Sequence, residues 1–144
     1  LDLQPASLFD LNLLRKVEQA CFAQDAWPLL DLIAVLTLPG VVRIKAVESD
    51  QMIGFVAGDP HRLEGIGWIA TIGVLPEYRG RGIGRALLEA CEAQMNLPTV
   101  KLSVRPTNTE AIRMYQNAGF LTLETWRNYY GDGGDGLVMQ KIRE

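Results

Sequence analysis

Three glycines at alternate positions, Gly80, Gly82 and Gly84, are interleaved with Arg79, Arg81 and Arg85 in a stretch that follows the apolar run Trp68 to Val74. Glycines spaced this way let a backbone turn tightly with its N–H groups aimed in one direction. A helix opening at about Ile83 adds its partial positive charge at the same spot. Glycine-rich backbone, helix start and flanking guanidiniums together make an anion site, read here as one for a pyrophosphate. A bare strand-to-helix turn would leave the arginines without a role.

The spacing excludes two better-known phosphate loops. A dinucleotide fingerprint needs Gly-x-Gly-x-x-Gly with an acid about 20 positions on. Here the glycines run Gly-x-Gly-x-Gly, and the corresponding later stretch, Pro98 to Leu102, carries no acid. A Walker loop ends in Gly-Lys-Ser/Thr, whereas Gly84 is followed by Arg85 and Ala86. The run Arg79 to Gly84 instead resembles the Arg/Gln-x-x-Gly-x-Gly/Ala loop of the GNAT acetyltransferases, which holds the pyrophosphate of acetyl-coenzyme A. A second block, Asn108 to Phe120, resembles that family's Asn-x-x-Ala-x-x-x-Tyr-x-x-x-Gly-Phe segment at every named position. Asn108, Ala111 and Tyr115 fall three and four apart, on one helical face.

The resemblance implies acetyl-CoA as cosubstrate and no metal. Backbone groups of Ile72, Gly73 and Val74 would bind the pantetheine arm. Arg79, Gly80, Arg81, Gly82, Ile83, Gly84 and Arg85 would hold the pyrophosphate, and Asn108 and Ala111 would lie along the arm. Tyr115 would protonate the departing thiolate; a phenol of pKa about 10 suits a thiol of pKa about 8.5. Within the family, Trp27-Pro28, Val104-Arg105 and Asn128-Tyr129-Tyr130 look like the branch that acetylates protein N-terminal amines, including the alanine terminus of a ribosomal protein. Trp27, Tyr129 and Tyr130 would then line the peptide groove. Core packing for Trp27 and a tyrosine-rich strand end are the plain alternatives.

One position departs from that branch. Its Leu-Glu-Val-Arg run supplies a glutamate base, whereas the run here is Leu102-Ser103-Val104-Arg105. Ser103 is no base at neutral pH, so a water chain or another carboxylate must serve, with Asp25, Glu77 and Glu110 as unranked candidates. A lysine amine of pKa about 10.4 costs roughly 4 kcal/mol to neutralise near pH 7.4, an α-amine of pKa about 7.7–8.0 under about 1 kcal/mol. The departure therefore weighs on the ribosomal assignment more than on acetyl transfer. A polyamine, aminoglycoside-like or other small amine is the alternative acceptor. A non-catalytic acyl-CoA-binding module is the rival from another class, and a nucleotide-binding domain a third.

The rest of the chain must position these groups. Its 144 residues are 48% hydrophobic and 22% charged, which suits one domain over 1–144 with its own core. A net charge of −3 argues against a nucleic-acid binder. The longest apolar run, Leu29 to Leu38, is too short to span a bilayer. Cys21 and Cys91, in apolar helical contexts, read as buried thiols of a reducing compartment, and the cytoplasm is the default location. No secretory leader is visible, and the absence of an initial methionine leaves room for residues before Leu1. Monomer and homodimer both stay open. His61, in a polar stretch, reads as solvated, and Asp132 and Asp135 as turn formers.

Periodicity gives an α/β reading, with strands and helices in the order β-α-α-β-β-β-α-β-α-β-β, one mixed sheet with helices on both faces, which is the GNAT order. Strands are expected at Leu1 to Pro5, Val41 to Glu48, Met52 to Gly58, Gly65 to Val74, Val100 to Arg105, Phe120 to Tyr130 and Leu137 to Ile142. Helices are expected after Ser7, after Pro28, from Gly82 to Asn96 and from Thr109 to Asn117. Asp59 to Gly65 is expected as a loop.

Overall fold

The computed structural model describes residues 1–22 and 27–143. In chain order it holds β1 (Asp2–Pro5), a 3-10 turn (Leu8–Asp10), α1 (Leu11–Cys21), α2 (Leu29–Thr37), β2 (Val42–Glu48), β3 (Gln51–His61) and β4 (Ile66–Val74). A second 3-10 turn (Pro76–Tyr78), α3 (Ile83–Met95), β5 (Thr99–Val104), α4 (Thr109–Asn117), β6 (Leu121–Trp126) and β7 (Gly136–Ile142) follow. The strands form one seven-stranded sheet in the order β1-β2-β3-β4-β5-β7-β6, antiparallel except where β4 meets β5.

The sheet separates two apolar layers. On one face Leu14 and Val17 of α1 and Leu32, Val35 and Leu36 of α2 pack on Met52, Phe55 and Ala57 of β3. On the other, Leu87, Leu88, Cys91 and Met95 of α3 pack on Ile44, Ile53 and Val56, and the same cluster takes in Tyr115 and Phe120. Because β3 is covered on both sides, Met52 through Gly58 are all buried, and the segment is almost continuously apolar rather than alternating. The start of α1 is tied to the sheet by charge. Asp10 accepts from the Ser7 backbone N–H at 2.9 Å and from Lys45 Nζ of β2 at 2.8 Å.

The pairing of β4 matters most for the site. β5 pairs with β4 only from Ile66 to Trp68, opposite Thr99 to Lys101. Beyond that the strands part, β4 staying with β3 and β5 with β7. At the parting, Ala57 opposes Thr71 while Gly58 opposes Ile69, so Ala70 is an extra, bulged residue. A bulge bends its strand and re-aims the side chains beyond it. The result is a wedge between β4 and β5 whose backbone edges have no ladder partner across the gap.

Two expected boundaries differ. β3 does not stop at Gly58 but runs to His61, which opposes Ile66. β2 ends opposite Gly58, so beyond it β3 has a free edge; there Pro60, which lacks an N–H, is tolerated, and pairing with β4 carries the strand on. His61 is thus a strand end, its Nε2 3.1 Å from Asp59 Oδ2. At the other end of the chain β6 stops at Trp126, and Tyr129 and Tyr130 lie in the following loop, not in a strand. Asn128 sits in the left-handed region (φ 52) and donates its N–H to Asp135 Oδ1. Tyr130 N–H donates to the Gly134 carbonyl at 3.0 Å, closing the loop on itself.

Candidate active site

A cleft of about 730 Å³ fills the wedge. Ile69 to Ile72 of β4 and Leu102 to Arg105 at the end of β5 form its sides, and Asn108 and Tyr115 of the α4 segment reach in from one direction. Phe22, Trp27 and Pro28 between α1 and α2, and Tyr129, Tyr130 and Gly131 after β6, close it from others. The structure therefore brings Trp27, Tyr129, Tyr130, Asn108, Tyr115 and Ile72 into one cavity, although they come from distant parts of the chain.

The glycine-rich loop takes the form its composition suggests. Gly80 and Gly82 have φ of 78° and 79°, and a Cβ built on either meets nothing within 4 Å. The space over the loop is open, so the backbone itself is the surface offered. Gly82 is the N-cap of α3, whose first N–H groups lack intrahelical acceptors. Gly84 has a different job: a Cβ there would come 2.9 Å from Met114 Sδ, so this glycine lets α3 and α4 approach each other.

The arginines are partnered within the protein. Arg79 donates Nε–H to the Val74 carbonyl at 3.0 Å, which Cys21 Sγ also approaches at 3.2 Å. Arg81 lies 3.7 Å from Glu48 and over the Tyr78 ring at 5.1 Å, and Arg85 pairs with Glu89 at 2.8 Å, one helical turn on. The Arg81 and Arg85 pairs are exposed and so individually weak, open to exchange for a more highly charged anion. Gly73 is held against Cys21 and Phe22, and Ile72 borders the cleft.

Asn108 caps α4, its Oδ1 accepting from Ala111 N–H at 3.3 Å, and the residue lines the cleft. Ala111 is half-buried against the α3-side core. Tyr115 is 6% exposed and packs on Phe120 with centroids 6.0 Å apart. Burial, helped by the nearby Tyr130, holds its phenol above the ordinary tyrosine range, so it is protonated at any physiological pH.

The aromatic wall is a connected stack. Trp68, Trp126, Tyr129 and Tyr130 touch in sequence with centroid separations of 5.9, 5.3 and 5.0 Å. Arg105 lies over Tyr130 at 4.3 Å and pairs with Asp132 at 3.1 Å. Asp132 also accepts from Gly134 N–H at 2.9 Å; these two contacts hold its carboxyl below the usual range.

Neither cysteine is poised as a nucleophile. Burial pushes Cys91 up to about 12, with Glu92 adding to it, and raises Cys21 despite the neighbouring Arg79. Among the described residues no three His, Cys, Asp or Glu side chains cluster as metal ligands, and no helix is long and apolar enough to cross a membrane.

A family model described as "Acetyltransferase (GNAT) family" matches residues 12–120, a span that runs from α1 through both the loop and α4. The chain belongs to the GNAT acetyltransferase family. Among curated relatives, an N-alpha-acetyltransferase of Sulfurisphaera tokodaii is 42% identical over 77 residues, covering 51% of this chain and 46% of that protein. A mycothiol acetyltransferase of Streptomyces avermitilis is 40% identical over 84 residues, 56% of this chain and 27% of that one. The matched stretch thus spans about half of the first relative's length and about a quarter of the second's. Among solved structures, the ribosomal-protein-S18-alanine N-acetyltransferase of Escherichia coli superposes with a TM-score of 0.87 at 25% identity, covering 98% of this chain and 92% of that one.

Of the carboxylates considered as a GNAT base in place of Ser103, Asp25 lies outside the described residues, and Glu77 and Glu110 are exposed and absent from the cleft wall. Sequence reasoning missed Glu18. It is 2% exposed on α1 and accepts from Thr71 Oγ1 at 2.9 Å, while its other oxygen has no hydrogen-bond partner among the described residues. A signal was present: Glu18 falls on the apolar face formed by Leu14, Val17 and Cys21, where a solvated acid has no place.

Proposed function

We propose that this chain transfers acetyl from acetyl-CoA directly to a primary amine, and that the amine is a protein or peptide N-terminus. The observation that carries the reading is the wedge itself. The open glycine loop follows the parted end of β4, and the same parting opens an aromatic-walled cleft that Tyr115 lines.

The residues present fit acetyl-CoA. The left-handed glycines leave the space above the loop free for phosphate oxygens, and the parted edge of β4 offers unpaired amide groups to an extended amide-bearing arm. Arg79 to Arg85 would hold the pyrophosphate, Ile72, Gly73, Val74 and Asn108 the arm, with Ala111 beside it. The cosubstrate supplies an activated thioester. Backbone N–H groups of the β4 edge polarise its carbonyl oxygen. Tyr115 is the proton donor for the sulfur. Because burial makes full release of its proton costly, the phenol acts first as a hydrogen-bond donor and gives up the proton as the thiolate separates. Trp27, Tyr129 and Tyr130 orient the acceptor, and the N-alpha-acetyltransferase relative supports a protein α-amine in that role.

A small-molecule amine is the second reading. Ser103 in place of a carboxylate favours it, as does the likeness to a mycothiol acetyltransferase. Either acceptor is used by direct transfer, since two un-ionised thiols give no acyl-enzyme: mass spectrometry after mixing with acetyl-CoA should find no acetyl-cysteine. The deciding assay is CoA release with peptides bearing free N-termini set against small amines and lysine peptides. Turnover confined to small amines would overturn the N-terminal acceptor, and tight CoA binding without turnover on any acceptor would overturn catalysis itself.

A further inference from the structure

Removing a proton from the attacking amine calls for a base, and among the described residues the cleft wall holds no carboxylate. Ser103 occupies the expected position, yet directly behind the wall stands Glu18. It is the only described acid combining near-complete burial, an orphan oxygen and a hydrogen bond to a cleft-lining side chain. An ionised carboxylate without charge partner in an apolar layer is costly, and such groups persist where they act. Glu92, the other buried acid with an orphan oxygen, is neutralised by Lys141 at 2.9 Å and lies on α3, on the sheet's other face.

Resting on the acetyl-transfer reading, we propose that Glu18 is the proton acceptor of the reaction, reached through the Thr71 hydroxyl. The bulge at Ala70 re-aims Thr71 so that its side chain borders the cleft and donates to Glu18 Oε2. As the amine nitrogen bonds to the acetyl carbon and the carbon–sulfur bond breaks, the N–H proton moves to Thr71 Oγ1. The proton already on Thr71 moves to Glu18 Oε2, and the leaving sulfur takes the Tyr115 proton. After release, Glu18 loses its proton to solvent back through Thr71, and Tyr115 regains one. The desolvation that raises the Glu18 pKa strengthens it as a base, while the Thr71 hydroxyl and the Trp27 backbone amide temper the rise. Among the described residues, Cys21 lies one turn along α1 and feels the charge of Glu18, as well as that of Arg79 and Glu77 after β4.

Glu18→Gln keeps the shape and still accepts from Thr71, so the fold survives without the base. The expected result is a fall in kcat of about tenfold or more, an unchanged KM for acetyl-CoA, and loss of the acid limb of the kcat–pH profile. Thr71→Val should produce the same loss, Thr71→Ser should restore activity, and the double variant should be no worse than either single one. Two readouts need no cosubstrate. Infrared difference titration of the free protein should show one carboxyl protonating above the ordinary glutamate range, absent in Glu18→Gln. The melting temperature of Glu18→Gln at neutral pH should equal or exceed the parent's, the gap closing in acid, where the parent carboxyl is protonated in both folded and unfolded states. A kcat within twofold of the parent with an unaltered pH profile would overturn the relay. So would a lowered melting temperature with a raised acetyl-CoA KM, the mark of a structural role. Failure of the parent reading looks different: the parent protein itself then turns over no acceptor.

Discussion

At the proposed phosphate end of the wedge, the assigned residues come from one short run, Arg79 to Arg85, shaped by two left-handed glycines and the first turn of α3. At the proposed acceptor end, Trp27, Ser103, Arg105, Tyr129 and Tyr130 arrive from three separate segments, and Arg105, Tyr129 and Tyr130 are joined by side-chain contacts. A site made of backbone is insensitive to side-chain identity except where a Cβ intrudes. A site made of converging side chains changes with any one of them. The anion end is accordingly suited to one invariant ligand, and the acceptor end to being retuned without disturbing the other.

Tyr115, which lines the cleft, should show the largest effect. Tyr115→Phe should lower kcat by about 10²–10⁴-fold on any acceptor, with both KM values little changed and the melting temperature close to the parent's, because the ring still packs on Phe120. A kcat within twofold of the parent would remove the phenol from the mechanism. Next comes Gly82→Ala. Its φ of 79° costs an alanine about 1–2 kcal/mol, and the new methyl enters the open space over the loop. The acetyl-CoA KM should rise about tenfold or more, equivalent to about 1.4 kcal/mol, while acceptor KM stays put. Initial rates with each substrate varied in turn measure both, and a rise confined to the acceptor would break the division between the ends.

The converse variant is milder. Tyr129→Ala removes one ring of the stack between Trp126 and Tyr130, a contact worth about 0.5–1.5 kcal/mol. The acceptor KM should rise about two- to tenfold with the acetyl-CoA KM unmoved. The same contrast explains what could be read from the chain alone. The glycine-rich turn into α3 was legible because its physics is local: glycine spacing and a helix start suffice. The α4 block was legible because Asn108, Ala111 and Tyr115 recur at helical spacing. The acceptor end was reached only through resemblance, since nothing local in Asn128 to Gly136 says that a left-handed Asn128 and an Asp135 side chain will end a strand at Trp126 and swing the tyrosines over the cleft. β3 was cut short at Gly58 for a related reason, as Pro60 reads locally as a breaker and only the free edge there explains its place. Glu18 went unnoticed because its meaning depends on Thr71, 53 residues away.

The smallest effect should come from Asp132, which positions Arg105 from an exposed loop. Asp132→Asn keeps a carbonyl oxygen for the Gly134 N–H and removes only the charge facing Arg105. An exposed ion pair is a weak tether, so the acceptor KM should rise about twofold at most, kcat should hold, and the change should shrink further as salt screens the pair. The pH dependence has a definite sign. A carboxyl whose folded pKa is depressed adds stability above its unfolded value of about 3.9, and the gain is lost as pH falls through the lower folded value. Parent and variant should therefore differ by a constant small amount from pH 5 to 8 and converge only in strong acid. A much larger rise in acceptor KM with Asp132→Asn, removed by salt, would mean that the carboxylate itself attracts the incoming ammonium. In that case the acceptor end recognises charge as well as shape.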